Sequence, residues 1–270
     1  MKKLWTIASM TLREAIHGKI LWLSAFFLAL MVAFTYLLSH FIHTDDMGTF
    51  FKLLADGGLS MLSLGLFILA IFFTFQSVSS DKKNQTLLLS LAMPIKRRDF
   101  VMGKFLGIAL TLSVMAALFY LTLTATMALF LAHEVEHVGK TVDGWLGLLS
   151  QACLGIYASA LLQALWTLAL CLLLDSEFLM LFASLCIWGL GSLSQDWVHL
   201  AEHLSGPERW MPLMLAHVFP DYHSLNYLVE TAYQVRLPLM VLGSHLAYVA
   251  LYGLVLLLLL TLIMDGKDIT

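Results

Sequence analysis

This sequence has little charge. Only 12% of its 270 residues are Asp, Glu, Lys or Arg, against roughly 25% in a soluble domain. A globule exposes a large surface that must be wetted, and so few charges cannot wet it. A soluble enzyme is therefore excluded. A disordered tail is excluded too, because it would need high charge and few apolar residues. Cysteine is scarcer still: Cys153, Cys171 and Cys186 all lie inside apolar runs. There they read as small buried hydrophobes, and no disulfide framework is implied. A compact apolar leader with a small-residue cleavage site is also missing from the first 19 residues, so the first span is expected to act as its own insertion signal.

What is abundant is apolar length. Hydrophobic residues make up 60% of the chain, and the mean hydropathy is +0.86. A spanning helix takes about 20 apolar residues, which leaves room for six or seven spans and short loops. Six stretches stand out: Ile20–Ile42, Leu59–Val78, Phe105–Ala132, Leu146–Leu174, Phe178–Leu193 and Leu237–Met264. The fifth is short and stops at Ser194-Gln195-Asp196, so it either spans with polar help or ends inside the bilayer. The expected fold is an all-α integral membrane domain of six transmembrane helices covering residues 1–270.

Lys and Arg orient it. Lys2, Lys3, Arg13, Lys19, Lys82, Lys83, Lys96, Arg97, Arg98, Lys104 and Lys267 fall on the side of the termini, against Lys52, Lys140, Arg209 and Arg236 on the other. That imbalance puts both termini in the cytoplasm. Trp145, Trp197, Trp210, Tyr222 and Tyr227 then sit at outer boundaries, with Trp5 and Trp22 at the inner one.

Three segments lie outside the spans. In residues 1–19, Leu4, Ile7, Ala8, Leu12, Ala15 and Ile16 repeat at helical spacing, with Lys2, Thr6, Ser9 and Arg13 off that stripe. This predicts an amphipathic helix lying in the inner interface. The cytoplasmic loop 79–104 combines the apolar run Leu87–Met93 with Pro94 and the basic cluster Lys96-Arg97-Arg98. Topology and contact with anionic lipid account for the charges; they leave the apolar run unexplained, and a partner protein would use it. The outer segment 194–236 is broken by Pro207, Pro212 and Pro220 into short amphipathic pieces, which suit helices dipping into the outer leaflet.

The opening IASMTLREAIHGKILWLS (7–24), the stretch TLLLSLAMPIKRRDFVMGKFLG (86–107) and the outer FPDYHSLN (219–226) together resemble the permease subunits of ABC-2 type ABC transporters. The resemblance is to the branch grouped with multi-copper-enzyme maturation permeases. It implies an elbow helix carrying Trp5, Arg13 and Glu14, and short re-entrant helices between spans five and six. It also implies a coupling helix contacting an ABC ATPase, here Thr86, Leu87, Leu88, Leu89, Leu91, Met93, Pro94, Lys96, Arg97 and Arg98. A second permease copy, membrane lipid and a periplasmic or lipoprotein partner are further implied partners, in a bacterial inner membrane, with no nucleic acid. The chain itself lacks a phosphate-binding loop. G-x-x-x-x-G-K-[ST] cradles phosphates with backbone amides and a Lys, and the nearest approach, Gly139-Lys140-Thr141, has Glu134 where the first Gly belongs. No cofactor is expected in this chain; ATP and Mg belong to the partner ATPase, and the chain is expected to be a transport subunit, not an enzyme.

Two histidine pairs have i, i+4 spacing: His133-Glu134-Val135-Glu136-His137 and His199-Leu200-Ala201-Glu202-His203. On a helix each pair shares a face and could ligate zinc with a Glu as base. That gives the alternative reading, an outward-facing metalloprotease or an outer copper-handling site. A catalytic zinc needs a third ligand, however, and solvated interface histidines are the plainer reading. Among polar residues in the spans, Gln76, Gln151 and Gln163 are candidates for a translocation lining, with Thr122, Thr124, Thr126, Ser159 and Ser184 behind them. Interhelical hydrogen bonding is the competing role for each. Gly103-x-x-x-Gly107 permits close helix packing. No charge is expected deep in a span, which argues against an ion-coupled carrier.

Overall fold

The computed structural model describes residues 2–18, 20–41, 47–83, 97–138, 144–204 and 206–266. Among these residues every regular element is helical, as backbone in hydrocarbon requires: with no water to bond to, each amide must be paired within its own segment. The helices are α1 (Lys2–His17), α2 (Ile20–Phe41), α3 (Met47–Lys83), α4 (Arg97–Val138), α5 (Trp145–Leu173), α6 (Glu177–Ser192), α7 (Ser194–His203), α8 (Trp210–Val218), α9 (Leu228–Ala232) and α10 (Leu239–Gly266). A single 3-10 turn, Pro207–Arg209, joins α7 to α8.

Five helices are long and apolar enough to cross a membrane: α2, α3, α4, α5 and α10. The short fifth stretch behaves differently. α6 has 16 residues, about 24 Å of helix, which falls short of a hydrocarbon core of about 30 Å. It bends by 57° at Leu193 into α7, and the pair makes a sixth span only if counted as one broken helix. The described residues thus form a multi-pass, all-α membrane bundle of five spans, or six with the bent pair.

α3 and α5 form the centre of the bundle, apolar on most sides and buried among α2, α4, α6 and α9. Phe51, Leu59, Leu62, Leu66, Leu69 and Phe73 of α3 meet Ile108, Leu112, Phe119 and Leu123 of α4 and Ile156, Leu165 and Leu168 of α5. α2 and α10 lie on the outside, where Trp22, Phe26, Tyr36, Leu251, Leu254 and Leu262 are exposed.

α3 and α4 outrun the bilayer. With 37 and 42 residues they measure about 55 and 63 Å. The predicted loop 79–104 is accordingly shorter than its sequence suggested: 79–83 complete α3 and 97–104 open α4. The two helix ends stand as a pair beyond the apolar stretches and flank residues 84–96.

Candidate functional site

The end of the bundle that carries this pair is built around one lysine. Lys104 lies on α4, and its side chain is 4% exposed. A buried ammonium must be paired. Its Nζ donates to Asp81 Oδ2 at 2.7 Å and lies 3.6 Å from Glu14 Oε2. Asp81 comes from α3 and Glu14 from α1, so one cation ties three helices. Ser77 Oγ donates to Glu14 Oε2 at 3.1 Å and Ser80 Oγ to Glu14 Oε1 at 2.6 Å. Positions 77, 80 and 81 share a helix face by their i, i+3, i+4 spacing, which is why one turn of α3 can meet both charged partners. One residue away, Ser79 Oγ donates to Glu177 Oε1 at 2.7 Å and brings in the start of α6.

The elbow helix is seated by glycine. α1 packs mainly on α4. A Cβ placed on Gly103 would come within 2.9 Å of Ile7 Cβ, and one on Gly107 within 2.6 Å of Thr11 Cβ and 2.9 Å of the Ala8 carbonyl oxygen. The Gly103-x-x-x-Gly107 pair therefore serves packing within the chain. The most buried residues of α1 are Ala8, Thr11 and Ala15, at the centre of the predicted stripe, with Leu4, Ile7 and Leu12 half-buried beside them. Trp5 (64% exposed) and Met10 (65%) point away from the bundle, and Arg13 is exposed. Small residues win the inner face because they allow close backbone approach. Trp5 and Met10 are left for the lipid interface.

Of the sequence-derived coupling residues, Thr86, Leu87, Leu88, Leu89, Leu91, Met93, Pro94 and Lys96 lie outside the described residues, as do Gly139-Lys140-Thr141. Arg97 begins α4, and its side chain is likewise outside what is described. Arg98 is exposed and lines a lipid-facing groove of about 570 Å³ between α4, α5 and α10.

At the opposite end the FPDYHSLN segment is drawn into the bundle. Gly155 and Gly191 make room for it: a Cβ on Gly155 would meet the Leu225 carbonyl oxygen at 2.3 Å, and one on Gly191 the Pro220 oxygen at 2.5 Å. Tyr222, Leu225 and Tyr227 are buried there. The Tyr222 hydroxyl donates to Gln163 Oε1 at 2.7 Å, while Gln163 Nε2 donates to the Ser184 carbonyl at 2.9 Å. Asp221 accepts from Ser194 Oγ and, at 3.1 Å, from the Ser224 amide. Tyr248 of α10 accepts from the Asp221 amide, and Tyr252 donates to the carbonyl of Val218, the last residue of α8 before the segment. Tyr227 shares a 2.7 Å hydrogen bond with His245 Nδ1. Burial pushes the Tyr222 hydroxyl well above its ordinary value, with nearby Tyr252 and Tyr248 adding to it. Burial also pushes Tyr227 up to about 12, aided by Glu230. Both remain protonated.

The three lining candidates separate. Gln163 is fully buried and spent on the bonds just described. Gln151 Oε1 accepts from the Leu237 amide at 3.4 Å, at the approach to α10. Gln76 is half-buried in a shallow depression with Phe72, Phe75, Ser79 and Ser80. Thr122, Thr124, Thr126 and Ser159 return their hydroxyls to carbonyls of their own helices.

His199 and His203 are exposed on α7. His199 Nδ1 lies 3.6 Å from Glu202, and His203 Nδ1 is bonded to the His199 carbonyl. The side chains of His133 and His137 are outside what is described. Among the described residues no three His, Cys, Asp or Glu side chains gather to hold a metal.

From the sequence Lys104 counts as one more topology charge; the structure buries it at the end of the bundle, outside the deep part of any span. Its position between Gly103 and Gly107 marks close packing nearby without indicating that the lysine is paired or with which acids. Over residues 5–264 the sequence matches the family model described as ABC-2 family transporter protein. No curated protein matches the chain.

Proposed function

Because the chain belongs to the ABC-2 transporter family, whose permease domain covers nearly its whole length, it is a membrane transport permease, and we propose that it is driven by a separate ABC ATPase. The observation that carries this reading is the clasp. The helix ends flanking residues 84–96 are tied to each other and to α1 through Lys104, Asp81 and Glu14. A push delivered to the 84–96 segment would therefore move α1, α3 and α4 as one body.

In this reading Thr86, Leu87, Leu88, Leu89, Leu91, Met93, Pro94, Lys96 and Arg97 form the ATPase contact, with both termini cytoplasmic in a bacterial inner membrane. Arg98 belongs to the same proposed contact, and its side chain also lines the groove. A second copy of the permease completes the transport path. ATP binding and hydrolysis, with Mg, occur in the partner, and re-packing of the spans gives alternating access. Gln76 is the lining candidate still available for such a path. The copper-maturation branch and a lipoprotein or periplasmic partner belong to the same reading through the resemblance alone.

The test is co-purification. Replacing residues 86–97 by a Gly/Ser linker should abolish capture of the ATPase while leaving the permease in the membrane. Unchanged capture would refute the contact.

A further inference from the structure

We propose that the groove between α4, α5 and α10 is a site for one anionic phospholipid, with the acyl chain in the groove and the phosphate at Arg98. The groove holds about 570 Å³. Its α4 wall is Arg98, Met102 and Phe105, spaced i, i+4, i+7 on one helix face. Its α10 wall runs from Leu246 to Thr261, about 22 Å of helix, which exceeds the roughly 15 Å depth of one leaflet's hydrocarbon. Apart from Arg98 and Thr261 the lining is apolar, and Thr261 has already returned its hydroxyl to the Leu258 carbonyl. Among the described residues that line it, the one polar group left without a partner is therefore the Arg98 guanidinium.

Arg98 and Thr261 lie at the same end because α4 and α10 run in opposite directions. The groove thus has an apolar body and a cationic rim at a single membrane face. That is the complement of a phospholipid with negative charge at its head, since a guanidinium matches phosphate oxygens in two-point geometry. A transmembrane helix of a second copy would fill the apolar body and leave Arg98 without a counter-charge. This inference does not depend on the ATPase partner, and its test needs none.

The full chain, purified in detergent, is offered phosphatidylglycerol and phosphatidylcholine with identical chains, and bound lipid is counted by native mass spectrometry. Wild type should retain phosphatidylglycerol in preference, by about five-fold, the weight of one basic residue at an anionic lipid surface. Arg98→Gln should erase the preference and keep chain binding, Arg98→Lys should restore much of it, and Ala250→Trp, which fills the groove, should lose both lipids. Equal preference in Arg98→Gln and wild type would overturn the proposal. So would unchanged lipid retention in Ala250→Trp, or efficient cross-linking of two copies through a cysteine at Ala250.

Discussion

Lys104→Met removes the cation from the clasp while keeping most of its length and volume. What remains is Glu14 and Asp81, two carboxylates that both face the vacated position. Deleting one partner of a fully buried ion pair costs about 3–5 kcal/mol, mostly as the penalty of the charge left behind. Here the carboxylates are 33% and 22% exposed, so water recovers part of that penalty. The expected loss is about 2–3 kcal/mol after allowing for solvent screening. At about 2–4 °C per kcal/mol for a chain of this size, the melting temperature in detergent should fall by roughly 5–10 °C. Because Lys104 is the shared partner, the cost should shrink when the acids are neutralised with it. The triple variant Lys104→Met, Asp81→Asn, Glu14→Gln should recover most of the loss. The same change should loosen α1: a cysteine at the buried position Thr11 should react with a thiol reagent faster in the Lys104→Met background. A single variant within about 0.5 kcal/mol of wild type would refute the reasoning, since surface substitutions show changes of that size. A triple variant no better than the single would refute it as well.

Gly107→Val should unseat α1, because the new side chain meets Thr11 and the Ala8 backbone. Overpacking of this kind costs about 1–3 kcal/mol, read by melting and by Thr11→Cys labelling. Tyr222→Phe leaves the Gln163 carbonyl oxygen buried without its donor, at about 1–3 kcal/mol; Tyr222→Phe combined with Gln163→Leu should cost less than the sum of the two single changes. High pH should destabilise the FPDYHSLN segment through Tyr227. Its folded value of about 12 lies above the ordinary 10.0, so the unfolded chain gives up that proton first. Stability therefore falls as pH rises through the interval between those values. Melting curves across it should drop less steeply for Tyr227→Phe than for wild type.

Much of the fold was legible because a bilayer reads sequence bluntly. Runs such as Leu146–Leu174 and Leu237–Met264 have one way to satisfy their backbones in hydrocarbon, and they are helices in the structure. Phe178–Leu193 was legible as apolar and ambiguous as a span; in the structure it is a short helix that bends at Leu193 into α7. The clasp was harder to see. Charge counting treats Lys104 as one more topology residue, and nothing in a linear sequence distinguishes a lysine bathed in water from one held by acids 23 and 90 positions earlier. The direction of the large α1 residues outside that stripe was hard to read for a related reason. A hydrophobic stripe shows which side avoids water, but lipid and protein are equally dry, so Trp5 and Met10 could face either.

The sequence by itself determined that this chain belongs in a membrane, that its elements are helices, and that it lacks a phosphate-binding loop. Those properties rest on composition and on backbone hydrogen bonding, which are local. Only the tertiary structure decided which polar residues are spent and which are free. Gln163 is consumed by Tyr222 and Ser184, and Lys104 by Asp81 and Glu14, while Arg98 is left facing a lipid-sized groove. Pairing between groups distant in sequence depends on how the helices pack, and in this chain glycines at 103, 107, 155 and 191 set how closely they do so.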